Sequence, residues 1–68
     1  KNISVNCVSP GGIRDAQSNK FIKRYKTSCG TKGLLDSDDI VGSIVFLLSN
    51  SSKYINGQNI VVDDGWSL

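Results

Sequence analysis

A short segment, Pro10-Gly11-Gly12-Ile13, has the composition of a loop that can contact a ligand. It follows residues 3–8, where apolar and polar side chains alternate as in a strand. Glycine lets the backbone approach a bound molecule closely, and open α/β sheets bind ligands at loops that leave the carboxyl ends of strands. An ordinary turn explains the same residues equally well, so both interpretations remain open at this point.

The next region carries most of the positive charge. The net charge is only +2, but six of the eight basic residues lie between positions 14 and 32, where Asp15 is the only acid. A solvated surface is the ordinary explanation of such a cluster, and a site for an anionic ligand is the alternative. Nucleic acid is the weakest form of that alternative, and we do not expect it, because no aromatic residues are interleaved with the lysines.

The composition argues against a metal site. The chain has no histidine and no CxxC pair, so it offers no zinc or iron ligand set. Cys7 lies in the first strand pattern and Cys29 in a polar loop, and we expect two reduced thiols in a cytoplasmic protein. We expect neither a signal peptide nor membrane attachment, since the longest apolar run is far too short to span a bilayer.

Residues Asp36–Asn50 predict the main helix. Their apolar residues fall at positions 40, 41, 44, 45, 47 and 48, which gathers them on one helical face. Asp36 suits the N-cap, Asp39 can bond back to the cap from the N3 position, and Asn50 with the following serines supplies the stop. Full burial of six apolar side chains would contribute about 9–18 kcal/mol. So broad a face requires a partner surface.

The remaining elements are shorter. Residues 15–26 predict a weak helix with Phe21, Ile22 and Tyr25 on one stripe, followed by a flexible loop. We therefore expect residues 14–35 to form a mobile flap, with Leu34 and Leu35 as a hydrophobic staple for the main helix. A turn at Asn56-Gly57 and a second strand at 59–62 complete the chain.

The order strand, flap, helix, strand is that of a crossover unit and predicts an α/β fold with parallel strands. The chain divides into a strand with its loop (1–13), the flap (14–35), the main helix (36–50) and a turn, strand and tail (51–68). Sixty-eight residues bury too little surface to offset the entropy of ordering the chain comfortably. We therefore expect a piece of a larger domain or an obligate oligomer.

Five motifs, in this order and spacing, resemble the C-terminal quarter of a short-chain dehydrogenase/reductase: Val5-Asn6-Cys7-Val8-Ser9-Pro10-Gly11-Gly12-Ile13, Asp39-Ile40, Phe46-Leu47-Leu48-Ser49, Tyr54-Ile55-Asn56-Gly57-Gln58 and Val62-Asp63-Asp64-Gly65-Trp66. The resemblance covers essentially the whole chain. The Ser-Pro-Gly-Gly-Ile and Asp-Asp-Gly-Trp-Ser-Leu segments are most similar to members that modify sugars in bacterial polysaccharide and flagellin-glycan synthesis.

The resemblance implies a doubly wound parallel sheet of the Rossmann type that binds NAD or NADP. It implies that Pro10, Gly11, Gly12 and Ile13 lie beside the nicotinamide, with the backbone of Ile13 bonding the carboxamide. A threonine that often holds the cofactor in this family is replaced by Asp15. The flap corresponds to the substrate region, and its Lys20, Lys23, Arg24 and Tyr25 would suit a phosphate-bearing substrate such as a nucleotide-linked sugar.

The residues that carry out catalysis in this family are not matched. No lysine stands four positions after Tyr25 or Tyr54, so the catalytic Tyr-x-x-x-Lys pair is absent and the chain alone should be inactive. The implied partners are the N-terminal part of the same domain and a second copy, through the Asp36–Asn50 helix and the last strand. The alternative is a small self-associating module without catalysis.

Overall fold

The computed structural model describes residues 3–68, and its two strands form the predicted parallel pair. The elements in chain order are β1 (Cys7–Pro10), α1 (Asn19–Lys26), α2 (Asp38–Leu48), one turn of 3-10 helix (Asn50–Ser52) and β2 (Asn59–Val62). Strands β1 and β2 pair in register from Cys7 opposite Asn59 to Pro10 opposite Val62. The α/β prediction is therefore confirmed, with both helices in the crossover between the strands.

The first strand begins later than the alternation from residue 3 predicts. Val5 lies opposite a turn instead of a strand: its amide donates to Asn56 Oδ1 (2.9 Å) and its carbonyl accepts from the Gly57 amide (2.8 Å). Gly57 has a φ of 72°, the left-handed conformation that the predicted Asn-Gly turn requires. A turn presents no regular row of backbone groups, so the ladder starts only in β1.

Helix α1 is also shorter than predicted, since it starts at Asn19 and not at Asp15. The Asp15 amide donates to Gln17 Oε1 (2.6 Å), which holds these residues in a local turn. Ser18 is the N-cap, and its hydroxyl oxygen accepts from the Phe21 amide at 3.2 Å.

Helix α2 has the predicted acidic start, although it begins two residues later. Asp39 Oδ2 accepts from the Asp36 amide at 2.8 Å, which is the predicted back-bond to the residue three positions earlier. The Asp36 carboxylate binds Lys32 Nζ at 3.2 Å instead of capping the helix. Ser37 occupies the cap position without a side-chain hydrogen bond.

Helix α2 ends at Leu48, two residues before the predicted end at Asn50, and of the two serines that bond its last carbonyls only Ser52 follows Asn50 as predicted. Ser49 Oγ donates to the Phe46 carbonyl at 2.6 Å, and the buried Ser52 donates to the Leu47 carbonyl at 3.0 Å. These hydroxyls satisfy carbonyls that have no partner within the helix.

The core lies in the flap and not under the main helix. Leu34 and Leu35 are each 5% exposed, so they form the buried apolar centre of the described residues. Leu35 is tied to the first loop by a parallel bridge to Ile13, in which its amide donates to the Gly12 carbonyl (2.8 Å) and its carbonyl accepts from the Arg14 amide (2.7 Å). No residue of α2 is buried, and although Ile40 and Leu47 are half-buried, most of its apolar face is exposed within residues 3–68.

Candidate cofactor loop and flap site

Of the candidate loop residues, Pro10 is the last residue of β1, and Gly11-Gly12-Ile13 leave the carboxyl end of this strand, with hydrogen bonds at Gly11 and Gly12. The Gly11 amide donates to the Val62 carbonyl at 2.9 Å, which extends the pairing with β2 by one residue. The Gly12 amide donates to the hydroxyl oxygen of Tyr25 at 2.9 Å. The loop is therefore bound on one side by the last strand and on the other by α1.

Internal packing explains why this loop needs two glycines. A Cβ atom at Gly11 would lie 2.6 Å from Asp63 Cβ, and one at Gly12 would lie 2.6 Å from Leu34 Cδ2 and 3.0 Å from Tyr25 Cζ. Real Cβ atoms do not approach other atoms so closely. The sequence suggested either an ordinary turn or a loop that approaches a ligand. Neither interpretation predicts that the two glycines pack against other residues of the same chain.

The backbone amide of Ile13 is available to bind a ligand. The bridge to Leu35 uses the groups of Gly12 and Arg14, so the amide and carbonyl of Ile13 point away from it. Gln17 Nε2 donates to the Ile13 carbonyl at 2.9 Å. Within residues 3–68, the hydrogen bonds include none from the Ile13 amide. A carboxamide oxygen fits this donor.

The four candidate flap residues separate into two groups. Tyr25 contacts the loop through Gly12, and Arg24 lines a cleft of about 250 Å³ together with Phe21, Tyr25, Ser28 and Trp66. Lys20 and Lys23 are exposed on α1 and do not line this cleft. The structure therefore brings Arg24 and Tyr25 together at one site and leaves the two lysines on the surrounding surface.

An aromatic stack connects α1 to the tail. The rings of Tyr25 and Trp66 are almost parallel, with centroids 5.7 Å apart and an interplanar angle of 9°, and Phe21 lies 6.0 Å from Tyr25 on the same helix. Offset stacking of this kind stabilises a pair beyond its buried area. Trp66 remains 51% exposed, and sequence reasoning did not place it at the site.

The carboxylate of Asp64 binds the loop between the flap helix and the core. It accepts hydrogen bonds from the amides of Thr31 (3.0 Å), Lys32 (2.7 Å) and Gly33 (2.8 Å), and from the Thr31 hydroxyl (2.7 Å). These bonds, from the Gly33 amide and the Thr31 hydroxyl first, lower the pKa of Asp64 to about 2. Asp64 has a φ of 54°, a conformation that an aspartate tolerates better than most residues.

The acidic tail also affects Cys29. Partial burial raises the pKa of the Cys29 thiol, and the neighbouring carboxylates of Asp64 and Asp63 raise it further. Both cysteines are free thiols.

Within the described part of the chain, no group of three or more histidine, cysteine or acidic side chains could hold a metal ion. In that same part, every helix is too short or too polar to cross a membrane.

Comparison with known proteins identifies the family. A sequence model of the enoyl-(acyl carrier protein) reductase family matches residues 1–67. The chain belongs to the short-chain dehydrogenase/reductase family. It is 54% identical over 67 residues to post-translational flagellin modification protein A of Campylobacter coli, a match that covers 98% of this chain and 26% of that protein. The chain thus spans about a quarter of the length of this relative.

Solved structures of the family contain the same architecture. A short chain dehydrogenase from Leptospira borgpetersenii with bound NAD+ superposes with a TM-score of 0.90 and 40% identity, over 96% of this chain and 26% of that one. 4-Hydroxyisoleucine dehydrogenase complexed with NADH and succinate superposes with a TM-score of 0.83 and 35% identity, over 97% and 28%. The predicted Rossmann-type family fold is therefore confirmed.

Proposed function

We propose that this chain is the C-terminal part of an NAD(P)-dependent oxidoreductase that acts on a sugar or nucleotide-linked sugar in surface polysaccharide or flagellin-glycan synthesis. The observation that carries the proposal is the 54% identity to a flagellin modification protein along nearly the whole chain. The free thiols of Cys7 and Cys29 support a reducing, cytoplasmic location.

The proposed cofactor role belongs to the loop Pro10-Gly11-Gly12-Ile13. Its position at the carboxyl end of a parallel strand is where open α/β sheets bind nucleotides. The amide of Ile13 fits a carboxamide oxygen, and two relatives were solved with NAD+ or NADH bound. The nicotinamide would accept or donate the hydride, while this chain would orient it. NAD and NADP are both compatible with these contacts.

The proposed substrate role belongs to the flap. Arg24 lines the aromatic cleft, and Lys20 and Lys23 flank it on the same helix. Guanidinium and ammonium groups bind phosphate oxygens, which supports a nucleotide-linked sugar over an uncharged substrate. Residues outside this chain would carry out the acid-base chemistry, because this chain lacks the Tyr-x-x-x-Lys pair.

A spectrophotometric assay tests this proposal. The gene product that contains this chain should reduce NAD+ or NADP+ with at least one nucleotide-linked sugar, and the 68-residue chain alone should be inactive. Activity restricted to uncharged alcohols would contradict the substrate class. Failure to bind either nicotinamide would contradict the oxidoreductase assignment.

A second candidate function, self-association without catalysis, is favoured by the uncovered apolar face of α2. Val41, Ile44 and Val45 are all 45% exposed or more. Mixing this chain with the N-terminal part of the family domain distinguishes the candidates, since only the first predicts nicotinamide-dependent activity. Light scattering after size exclusion then tests self-association directly. The proposed interface is this helix together with β2.

A further inference from the structure

The hydroxyl of Tyr25 lies where the proposed substrate flap meets the proposed cofactor loop. Its oxygen accepts the Gly12 amide at 2.9 Å, although 13 residues separate the two in the chain. Gly12 directly precedes Ile13, whose amide is the proposed cofactor donor. A displacement of α1 would therefore move the residue next to that donor.

The ring of Tyr25 is held independently of its hydroxyl. It lies between Phe21 on its own helix and Trp66 in the tail, with centroid distances of 6.0 and 5.7 Å. The missing side chain of Gly12 makes room for it, since a Cβ there would lie 3.0 Å from Tyr25 Cζ. The ring thus positions the hydroxyl against the backbone at Gly12, where a Cβ atom would crowd it.

The tail fixes the far side of the same arrangement. Trp66 stacks on Tyr25, and Asp64, two residues earlier, accepts three amides of residues 31–33. Helix α1 and the segment that follows it are thereby tied to the residues after β2. Tyr25 carries the contact of α1 to the loop, which Val62 and Leu35 also bind directly.

We propose that Tyr25 is a positioning residue that couples the flap to the cofactor loop, so that the flap's position sets the affinity for the nicotinamide. This inference rests on the proposed function, since it assigns how two parts of that site communicate. Tyr25 does not carry out the chemistry. It holds the Gly12 amide only while α1 is docked, and so adds a flap-dependent contact to the Leu35 bridge and the Gln17 bond that orient Ile13.

The test is Tyr25→Phe in the gene product that contains this chain. The substitution keeps the aromatic stack and removes the acceptor of the Gly12 amide. Loss of one neutral hydrogen bond predicts a Kd for NADH or NADPH, measured by nicotinamide fluorescence, that rises about three- to tenfold. Amide exchange of the peptide containing Gly12 should accelerate, whereas the thermal unfolding midpoint should change little.

Two further variants separate the hydroxyl from general damage. Tyr54→Phe makes the same chemical change at a residue that is 90% exposed, and it should alter neither the cofactor Kd nor the exchange at Gly12. Tyr25→Leu removes the ring as well, so Trp66 emission should shift in this variant but not in Tyr25→Phe.

The outcomes distinguish this inference from the proposed function. A wild-type protein that binds NADH or NADPH, with Tyr25→Phe unchanged in Kd, would overturn the coupling and leave the oxidoreductase assignment intact. A wild-type protein that binds neither would overturn that assignment and, with it, the coupling to a nicotinamide. Accelerated exchange at Gly12 together with a raised Kd supports both.

Discussion

In the flap, Leu34 and Leu35 are 5% exposed and lie among loops that backbone hydrogen bonds join to one another. Along α2, by contrast, Val41 is 50% exposed and Val45 is 59% exposed. The flap buries Leu34 and Leu35 with contacts from within the chain, although Phe21 on α1 stays 48% exposed. Helix α2 presents a broad apolar face that residues 3–68 cover only in part, at Ile40 and Leu47.

This difference separates two kinds of structural requirement. The flap end must hold several loops in one arrangement, and it does so with glycines, an aromatic stack and one multiply bonded carboxylate. The α2 face requires only a complementary surface, supplied by the rest of the family domain or by a second copy. Substitutions at the two ends should therefore affect different measurements.

The largest expected effect is the removal of the flap core. Leu34→Ala should lower the free energy of unfolding by about 2–5 kcal/mol, because it deletes a buried side chain and leaves a cavity. Leu48→Ala makes the same chemical change at a residue that is 83% exposed and should alter stability by about 0.5 kcal/mol or less. Urea unfolding measures both. Equal losses would mean that α2 is covered in solution.

The two glycine environments predict changes of opposite sign. Gly11→Ala should destabilise the protein by about 1–3 kcal/mol, since its Cβ would overlap the Cβ and Cα of Asp63 at 2.6 and 2.9 Å. Gly42→Ala, within α2, meets nothing within 4 Å and should stabilise it by about 0.5–1 kcal/mol through helix propensity. Thermal unfolding of both variants tests this. A loss at Gly42 would show that a neighbour packs against that helix.

The carboxylate of Asp64 predicts how the flap end responds to acid. Its pKa is about 2 in the folded chain, against an ordinary 3.8, so unfolding takes up a proton between those values. The stability that it contributes is present in full above about pH 4 and is lost as the pH falls toward about 2. Asp63 and Asp39 also have lowered pKa values and add to the same trend.

Asp64→Asn checks this attribution. The variant should be less stable than the wild type near neutral pH, because an amide is a weaker acceptor for three backbone donors, and the difference should narrow as the pH falls. Asp38→Asn is the matched control, since it removes an exposed carboxylate from the first turn of α2. Urea midpoints between about pH 5 and about pH 2 compare the three proteins. A difference that is constant across this range would contradict the role of the Asp64 charge.

Much of the fold could be predicted from local patterns. The apolar period placed α2, the Asn-Gly pair placed the turn at 56–57, and the element order gave the parallel pairing of β1 and β2. These features depend on neighbouring residues, so the sequence contains their causes. The starts of β1 and α1 each lie four residues later than predicted, because the side chains of Asn56 and Gln17 compete there with the regular pairing.

The candidate site was less predictable because its contacts join distant residues. The loop Pro10–Ile13 was located by its glycines, but their partners Leu34 and Asp63 are far away in the chain. The same is true of Asp64, whose carboxylate binds the amides of Thr31 and Gly33, 33 and 31 positions before it in the chain. The flap was expected to be mobile because its composition is polar, whereas long-range contacts give it the most buried apolar residues of the described chain.

The smallest effect on stability, and the most informative one about partners, is expected on the open face of α2. Val45→Lys places a charge on a side chain that is 59% exposed, so the free energy of unfolding of the single chain should change by about 0.5 kcal/mol or less. If a second copy or the rest of the domain covers this face, burying an unpaired ammonium group there is costly, and association should weaken tenfold or more, at about 1.4 kcal/mol per tenfold. Val5→Lys, on a valine outside α2 that is 70% exposed, is the control for a general effect of added charge.

Light scattering over a range of concentrations measures the association of both variants. Weakening by Val45→Lys alone assigns the interface to α2, and equal behaviour of the two variants would leave the apolar face of this helix without a role in assembly.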